Sequence, residues 1–509
     1  MPEKVCIFDT TLRDGEQASA VGSLGALEKY SIAQLLEQVG VDVIEAGFPA
    51  SSGGDFDAVR YVAGRISRSE VAALARAVEK DIDSAYDAVK DAKRPRIHTF
   101  IAVSPIHMEK KLGKSPDEVR KMAISAVRFA RQKLGSKGKV EFSGEDSFRA
   151  EPAFLKRIYE DVIEAGANVI NVPDTVGYAQ PDEVRKMFEY LRASVKGGDR
   201  VMWSFHGHND LGNATANAMA AITGGARQIE CTINGVGERA GNTAMEEVLA
   251  NLRTRKAYYS AESGVDTTQI GRISRHVSRL LGMPVQPNKA VVGANAFAHS
   301  SGIHQDGVCK ERLTYELMKP EEWGWDSKGV FVITARSGGK GIKKALEDMG
   351  YRVTEEEARH MQKIVKPLAD SKGKLSDIDL AAILEDEVRK PPEVVALKSA
   401  YAAGGSSTRI GYVELVKEGA IVTKTATGNG PIDALYNAIN GALGIETQLL
   451  AFNIAAIGRG KEALGEVTVA IADDGNRYVG RGVSTDIIDA SAKAYMHAIN
   501  KMLYGRLKR

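Results

Sequence analysis

The sequence predicts an α/β chain that opens with a (β/α)8 barrel, continues through mostly helical linker subdomains and ends in a duplicated α+β domain. Three observations carry this reading. Short β-branched runs alternate with longer amphipathic stretches through the first half, the carboxyl ends of those runs are polar, and one strand–turn–strand–helix pattern occurs twice near the end.

The runs fall at residues 5–11, 41–48, 71–76, 96–103, 139–143, 168–172, 201–206 and 228–233, with helical periodicity at 24–39, 117–134, 153–165 and 181–195. Eight such units over about 250 residues match a closed TIM barrel. An open parallel sheet shares the alternation, and spacing alone does not separate the two. Residues 252–281 then read as helix, broken by Pro284 and Pro287. A glycine- and histidine-rich loop covers 293–307, and 340–388 reads as charged helix without strand signals. Pro391-Pro392 reads as a boundary, so the expected domains are 1–275, 276–390 and 391–509. In the last, strands at 411–416 and 421–426 lead through Gly428-Asn429-Gly430 into a helix. Strands at 466–472 and 478–479 lead through Gly480-Arg481-Gly482 into a second.

Composition narrows the function. Across 509 residues, 68 Lys and Arg face 66 Asp and Glu, a net charge of +2 that offers no broad pull toward nucleic acid or an anionic membrane. Cys6, Cys231 and Cys309 are too scattered for a disulfide framework or a metal finger. No apolar run approaches bilayer length, and Met1-Pro2-Glu3-Lys4-Val5 leads into a strand without a secretory pattern. A cytoplasmic protein is expected.

Chemistry concentrates where strands end. His206-Gly207-His208-Asn209-Asp210 follows the seventh run; on extended backbone, histidines two apart project to one face and can share an ion. Read alone, the pair could equally be a polar strand end. Thr10-Thr11-Leu12-Arg13-Asp14-Gly15-Glu16-Gln17 follows the first run; Asp14 offers a hard oxygen and Arg13 a permanent forked cation, or the two make a loop ion pair. Asn234-Gly235-Val236-Gly237-Glu238-Arg239-Ala240-Gly241-Asn242 follows the eighth, where glycines can bring N–H groups to a phosphate or thioester, at a spacing unlike the dinucleotide fingerprint. Barrel closure makes strands seven, eight and one neighbours, so Asp14, His206, His208 and Asn242 converge on the carboxyl-terminal rim. One carboxylate, two imidazoles and an amide oxygen leave coordination positions open, as a catalytic ion requires. His98, Thr99, Ser143, Glu145, Asp174, Thr175 and Glu45 add a polar ring on the same rim.

These motifs, together with Ile44-Glu45-Ala46-Gly47-Phe48-Pro49-Ala50-Ser51-Ser52 and His299-Ser300-Ser301-Gly302-Ile303-His304-Gln305-Asp306-Gly307, resemble the 2-isopropylmalate synthase family. That family belongs to a barrel superfamily that also holds homocitrate and citramalate synthases. The resemblance spans nearly the whole chain. It implies condensation of acetyl-CoA with 2-oxoisovalerate, then thioester hydrolysis to 2-isopropylmalate and CoA, on the path to leucine. One divalent ion per subunit, Mn²⁺, Zn²⁺, Co²⁺ or Mg²⁺, would sit on Asp14, His206, His208 and Asn242. Arg13 would stabilise the developing oxyanion, His98, Ser143 and Thr175 would hold the 2-oxo acid, and Glu145 would lie close to both. Gly235, Gly237, Glu238 and Gly241 would cradle acetyl-CoA. His304 and Tyr315 match positions that enter the site from the partner of a homodimer and assist catalysis. The last domain resembles a leucine-sensing regulatory module.

Two stretches depart from the family pattern. Ser52-Gly53-Gly54-Asp55 lacks a usual proline, and Phe142-Ser143-Gly144-Glu145-Asp146-Ser147-Phe148-Arg149 places Gly144 and Phe148 near the expected substrate. Sister enzymes acting on pyruvate or 2-oxoglutarate share the ion and Arg13 chemistry. An acyl-CoA lyase is disfavoured by the duplicated domain, and a non-catalytic metal- or leucine-binding regulator by the filled ligand positions.

Overall fold

A computed structural model describes residues 2–18, 22–325, 332–372, 374–388, 393–404, 409–457 and 464–507. Pro391-Pro392 lies outside them. The chain divides into two compact units, one of residues 1–297 with 317–327 and one of residues 298–316 with 328–509.

Eight parallel strands close into a barrel in chain order: β1 (Cys6–Asp9), β2 (Val43–Gly47), β3 (Glu70–Arg76), β4 (Pro95–Ala102), β5 (Lys139–Glu145), β6 (Val169–Asp174), β7 (Met202–Gly207) and β8 (Gln228–Cys231). All eight lie on the predicted runs. Closure is set by β1, whose Cys6 to Asp9 pair with Gln228 to Cys231 of β8 while Phe8 and Asp9 pair with Val43 and Ile44 of β2. An open sheet is thereby excluded. Helices including α1 (Ala26–Gln38), α2 (Gly53–Ala63), α3 (Glu79–Val89), α4 (Pro116–Leu134), α5 (Pro152–Ala165) and α6 (Pro181–Ser194) cover the outside. Proline at the first turn of α4, α5 and α6 fixes their starts, where a missing N–H costs nothing.

The barrel floor, opposite the rim, is closed by a buried polar network. Arg96 donates through Nη1 to Glu141 Oε2 at 2.8 Å and to Gln228 Oε1 at 2.8 Å, and through Nε to Glu70 Oε2 at 2.9 Å. Gln228 Nε2 donates to Glu141 Oε1 at 2.7 Å and to Ser204 Oγ at 3.0 Å. Burial pushes the Glu141 carboxyl above its ordinary range, against the pull of Arg96.

Several expectations need correction. The helix expected at 252–281 is interrupted: after helix Met245–Thr254 the chain makes a positive-φ turn at Ser260, and Ala261–Glu262 pair in parallel with Glu3–Lys4 before helix Ile270–Leu281. The end of the 293–307 loop is helical, at Gly302–Lys310. Within the charged helical stretch, Lys374–Leu375 form a short antiparallel pair with Ile333–Thr334.

The second unit ends in two three-stranded antiparallel sheets, each followed by a helix: strands Val395–Gly404, Arg409–Lys417 and Ala420–Thr427 with helix Pro431–Leu443, then Gln448–Ile457, Leu464–Asp473 and Asn476–Ser484 with helix Ile487–Leu507. The duplication is real, and each copy carries one more strand than expected. Gly430 caps the first helix, but Gly480 and Gly482 lie inside a strand. A Cβ at Gly480 would fall 2.1 Å from Ala494 O and one at Gly482 2.2 Å from Ala490 O, so these glycines let the helix lie directly on the sheet.

Candidate active site

The first-strand motif is held by its own side chains. Asp9 accepts from the Thr11 N–H at 3.0 Å and Thr11 Oγ1 at 2.8 Å, and Thr10 Oγ1 accepts from the Asp14 N–H at 3.3 Å. The wide helical turn Thr11–Gly15 thereby turns Arg13 and Asp14 over the barrel mouth. Thr11 Oγ1 also accepts from the Ile233 N–H at 2.9 Å, tying this turn to the end of β8. The buried Lys29 ammonium donates to Leu12 O at 3.0 Å and Ala46 O at 3.2 Å and pairs with Asp55. Asp55 in turn accepts from the Phe48 N–H at 2.6 Å, so Ser52-Gly53-Gly54-Asp55 keeps its anchor without the proline.

The loop after β8 folds back so that Asn242 bridges to His208, with the Thr243 N–H on Gly207 O and the Asn209 N–H on Gly241 O, both at 2.9 Å. Asp14 Oδ2 lies 3.3 Å from His206 Nε2 and 3.2 Å from His208 Nε2, and the two imidazole centroids are 4.8 Å apart. Asn242 Nδ2 is spent on Val236 O at 3.0 Å, which leaves its oxygen as the free end. Asp14 Oδ2, His208 Nε2 and Asn242 Oδ1 are all buried without a hydrogen-bond partner. Orphaned buried acceptors are costly, and a set of them converging on one spot fits a cation. Asp14, His206 and His208 form a group able to hold an ion. Burial opposes the Asp14 charge, yet Arg13 and the two histidines hold its carboxyl well below the usual range.

Arg13 reaches Asp14 Oδ1 through Nη1 at 2.9 Å and Glu45 Oε2 through Nε at 2.7 Å. His98 lies between Glu45 and Ser143, at 2.7 and 2.6 Å. Thr175 Oγ1 accepts from the Asp146 N–H at 2.9 Å, and Glu145 pairs with Lys111 at 2.6 Å. A cavity of about 270 Å³ is lined by Arg13, Asp14, His98, Ser143, Glu145, Thr175, His206, His208 and Glu238. Its apolar wall is Phe48, Leu74, Phe100 and Pro173. Gly144 and Phe148 are not among its lining: Gly144 backs onto Tyr159, and Phe148 packs edge-on against Phe205. Ser143 and Glu145 line the cavity, so the alternation of the strand turns Gly144 to its other side, while Phe148 lies beyond the strand in the helical turn Ser147–Arg149.

The glycines of the β8 loop serve its own closure. Gly235 and Gly241 have φ of +68° and +91°, a Cβ at Gly241 would meet Gly235 O at 2.0 Å, and one at Gly237 would meet Asn242 Nδ2 at 2.1 Å. His304 and Tyr315 lie in the second unit, their rings stacked at 4.2 Å.

Two functional side chains escaped sequence reasoning or were undervalued by it. Glu230, on β8, accepts from His206 Nδ1 at 2.9 Å and so turns Nε2 toward Asp14. Glu45 binds three groups of the site at once. A lone glutamate inside an apolar strand was the available signal, since a buried carboxylate must be paired.

Residues 4–277 match the HMGL-like family model, which sets the class of the barrel. Residues 291–373 match the homocitrate synthase post-HMGL domain-like model, and 374–503 the LeuA allosteric (dimerisation) domain. The 2-isopropylmalate synthase of Pyrococcus furiosus is 48% identical over 99% of this chain and 100% of its own length, and that of Carboxydothermus hydrogenoformans 49% identical over 99% and 98%. The chain belongs to the 2-isopropylmalate synthase family.

Proposed function

We propose that this enzyme condenses acetyl-CoA with 2-oxoisovalerate and water to give 2-isopropylmalate and CoA. The observation that carries the reading is the meeting of Asp14, His206, His208 and Asn242, with Asp14 Oδ2, His208 Nε2 and Asn242 Oδ1 buried and unpaired, beside Arg13 and above a partly apolar cavity. A divalent ion held by these four, Mn²⁺, Zn²⁺, Co²⁺ or Mg²⁺, supplies Lewis-acid polarisation of the 2-oxo carbonyl when bound. Arg13 adds a fixed positive charge where negative charge develops on that oxygen. His98, Ser143 and Thr175 orient the acid, and Phe48, Leu74 and Phe100 receive its branched side chain, which favours 2-oxoisovalerate over an acceptor with a second carboxylate.

The acetyl methyl group loses a proton, its carbon bonds to the 2-oxo carbon, and the alkoxide formed is protonated. Water then attacks the thioester and CoA leaves as the thiol. Glu145, on the cavity wall beside Lys111, is placed to handle a proton directly or through water. Glu238 and the glycine loop receive acetyl-CoA. His304 and Tyr315 act in a homodimer, from the partner subunit, and L-leucine acts as a feedback inhibitor through residues 391–509. We assign the enzyme to the cytoplasm and the domains to 1–275, 276–390 and 391–509. Among the described residues no helix is long and apolar enough to cross a membrane.

Free-thiol release from acetyl-CoA with a panel of 2-oxo acids tests this. Release is expected with 2-oxoisovalerate; release with pyruvate or 2-oxoglutarate alone would overturn the choice of acceptor.

A further inference from the structure

Glu45 is fully buried on β2 and does not line the cavity, yet three groups of the site share its carboxylate. Oε2 accepts from Arg13 Nε and Thr10 Oγ1, each at 2.7 Å, and Oε1 lies 2.7 Å from His98 Nδ1. His98 Nε2 lies 2.6 Å from Ser143 Oγ, and Asn171 Nδ2 donates to the same oxygen at 2.8 Å. Glu45, His98 and Ser143, from three strands, thus form one line that ends at the cavity.

Protons can be counted along that line. Nδ1 must carry one, because it faces a carboxylate. What Nε2 carries depends on the charge around the ring. Glu45 touches it, and ligand atoms of Glu141 and Glu230 lie within 4.8 Å of its own. The nearby cations are engaged, Arg96 by Glu70 and Glu141 and Arg13 by Asp14 and Glu45. Burial disfavours the imidazolium, but Glu45 raises the His98 pKa above its ordinary value. With both ring nitrogens protonated, Ser143 Oγ accepts two N–H donors, and its own hydrogen is left for the cavity.

We infer that Glu45 is a positioning residue that holds Arg13 in place and keeps His98 a double donor, so that Ser143 presents its hydroxyl hydrogen to an oxygen of the 2-oxo acid. The inference rests on the reading of the site given above and adds the polarity of that contact. With a neutral residue at 45, His98 gives up its second proton. Ser143 then turns its hydrogen to Nε2 and shows lone pairs to an anionic substrate.

The test is a double-mutant cycle of E45Q and S143A in the full-length, metal-loaded enzyme. E45Q should raise KM for the 2-oxo acid about 10–100-fold, the worth of a hydrogen bond to a charged group. KM for acetyl-CoA should not change, and kcat should fall as Arg13 loosens. The double variant should bind the 2-oxo acid no worse than E45Q alone, because both remove one interaction. Losses that multiply, or a wild-type KM in E45Q, would overturn the inference. Metal affinity, followed by chelator competition, should stay at the wild-type level. If the wild-type enzyme released no thiol with any 2-oxo acid, the reading of the site would fail instead. ¹⁵N NMR then decides the inference alone, and does so equally if E45Q does not fold. Near neutral pH, both His98 ring nitrogens, assigned by their loss in H98N, should resonate as imidazolium; a neutral Nδ1–H tautomer overturns it.

Discussion

His206 and Glu230 face each other inside the barrel, imidazole Nδ1 2.9 Å from carboxylate Oε2, and this contact decides which ring nitrogen is offered to an ion. Burial opposes the charged ring, but Asp14 and Glu230 raise its pKa to about 9. E230Q keeps the shape and removes the charge. Affinity for a divalent ion should fall ~10–100-fold, the usual cost of losing such a partner. Chelator competition measures it; unchanged affinity would show that Glu230 does not orient His206.

Asp14→Ala should leave a folded barrel, because the turn that carries it is held by Asp9, Thr10, Thr11 and Lys29. Turnover should drop at least about a thousandfold, since carbonyl polarisation by an ion accounts for several kcal/mol. Circular dichroism and thiol release check the two halves. Retained turnover would contradict the metal assignment.

Gly241→Ala separates the roles of the β8 loop. Its φ of +91° and the 2.0 Å approach of a Cβ to Gly235 O mean that alanine must displace the chain next to Asn242. Loss of metal affinity is expected along with loss of activity. A raised KM for acetyl-CoA with metal affinity intact would assign the glycine to the thioester substrate alone.

Glu246 supplies a pH signature. It is buried, accepts from the Asn234 N–H at 3.0 Å, and has Lys289 3.7 Å away; burial raises its pKa to about 7, against Lys289. Between its ordinary value and about 7 the unfolded chain has lost a proton that the folded chain keeps, so stability falls as pH rises through that window. E246Q removes this term. The stability of E246Q relative to wild type should therefore grow from pH 5 to pH 7, by up to about 1.4 kcal/mol per pH unit. Urea midpoints check this, and a gap that shrinks with pH would contradict it.

Deleting residues 393–509 should abolish inhibition by leucine. Inhibition unchanged in the truncated enzyme would refute the regulatory role proposed for that module.

The eight barrel strands were legible because short apolar runs alternate with amphipathic stretches and several carry polar residues at or just beyond their carboxyl ends, a pattern that burial on both faces and a rim site impose together. Asp14, His206 and His208 were legible for the same reason. The first strand of each carboxyl-terminal repeat was not: Val395–Gly404 and residues 448–454 of the strand Gln448–Ile457 are largely exposed or half-buried and alternate weakly. Gly480 and Gly482 read as a helix start because glycine marks both turns and close helix–sheet approach, and only the neighbour across the gap tells which. Glu45 and Glu230 act through side chains 53 and 24 positions away, and such pairings exist only once the barrel has closed.

Anomalous diffraction from crystals grown with Mn²⁺ tests the central claim most directly. One peak per chain is predicted, within ~2.0–2.3 Å of Asp14 Oδ2, His206 Nε2, His208 Nε2 and Asn242 Oδ1, the range of first-row metal bonds to oxygen and nitrogen. A peak elsewhere in the barrel, or none where those four atoms meet, would contradict it.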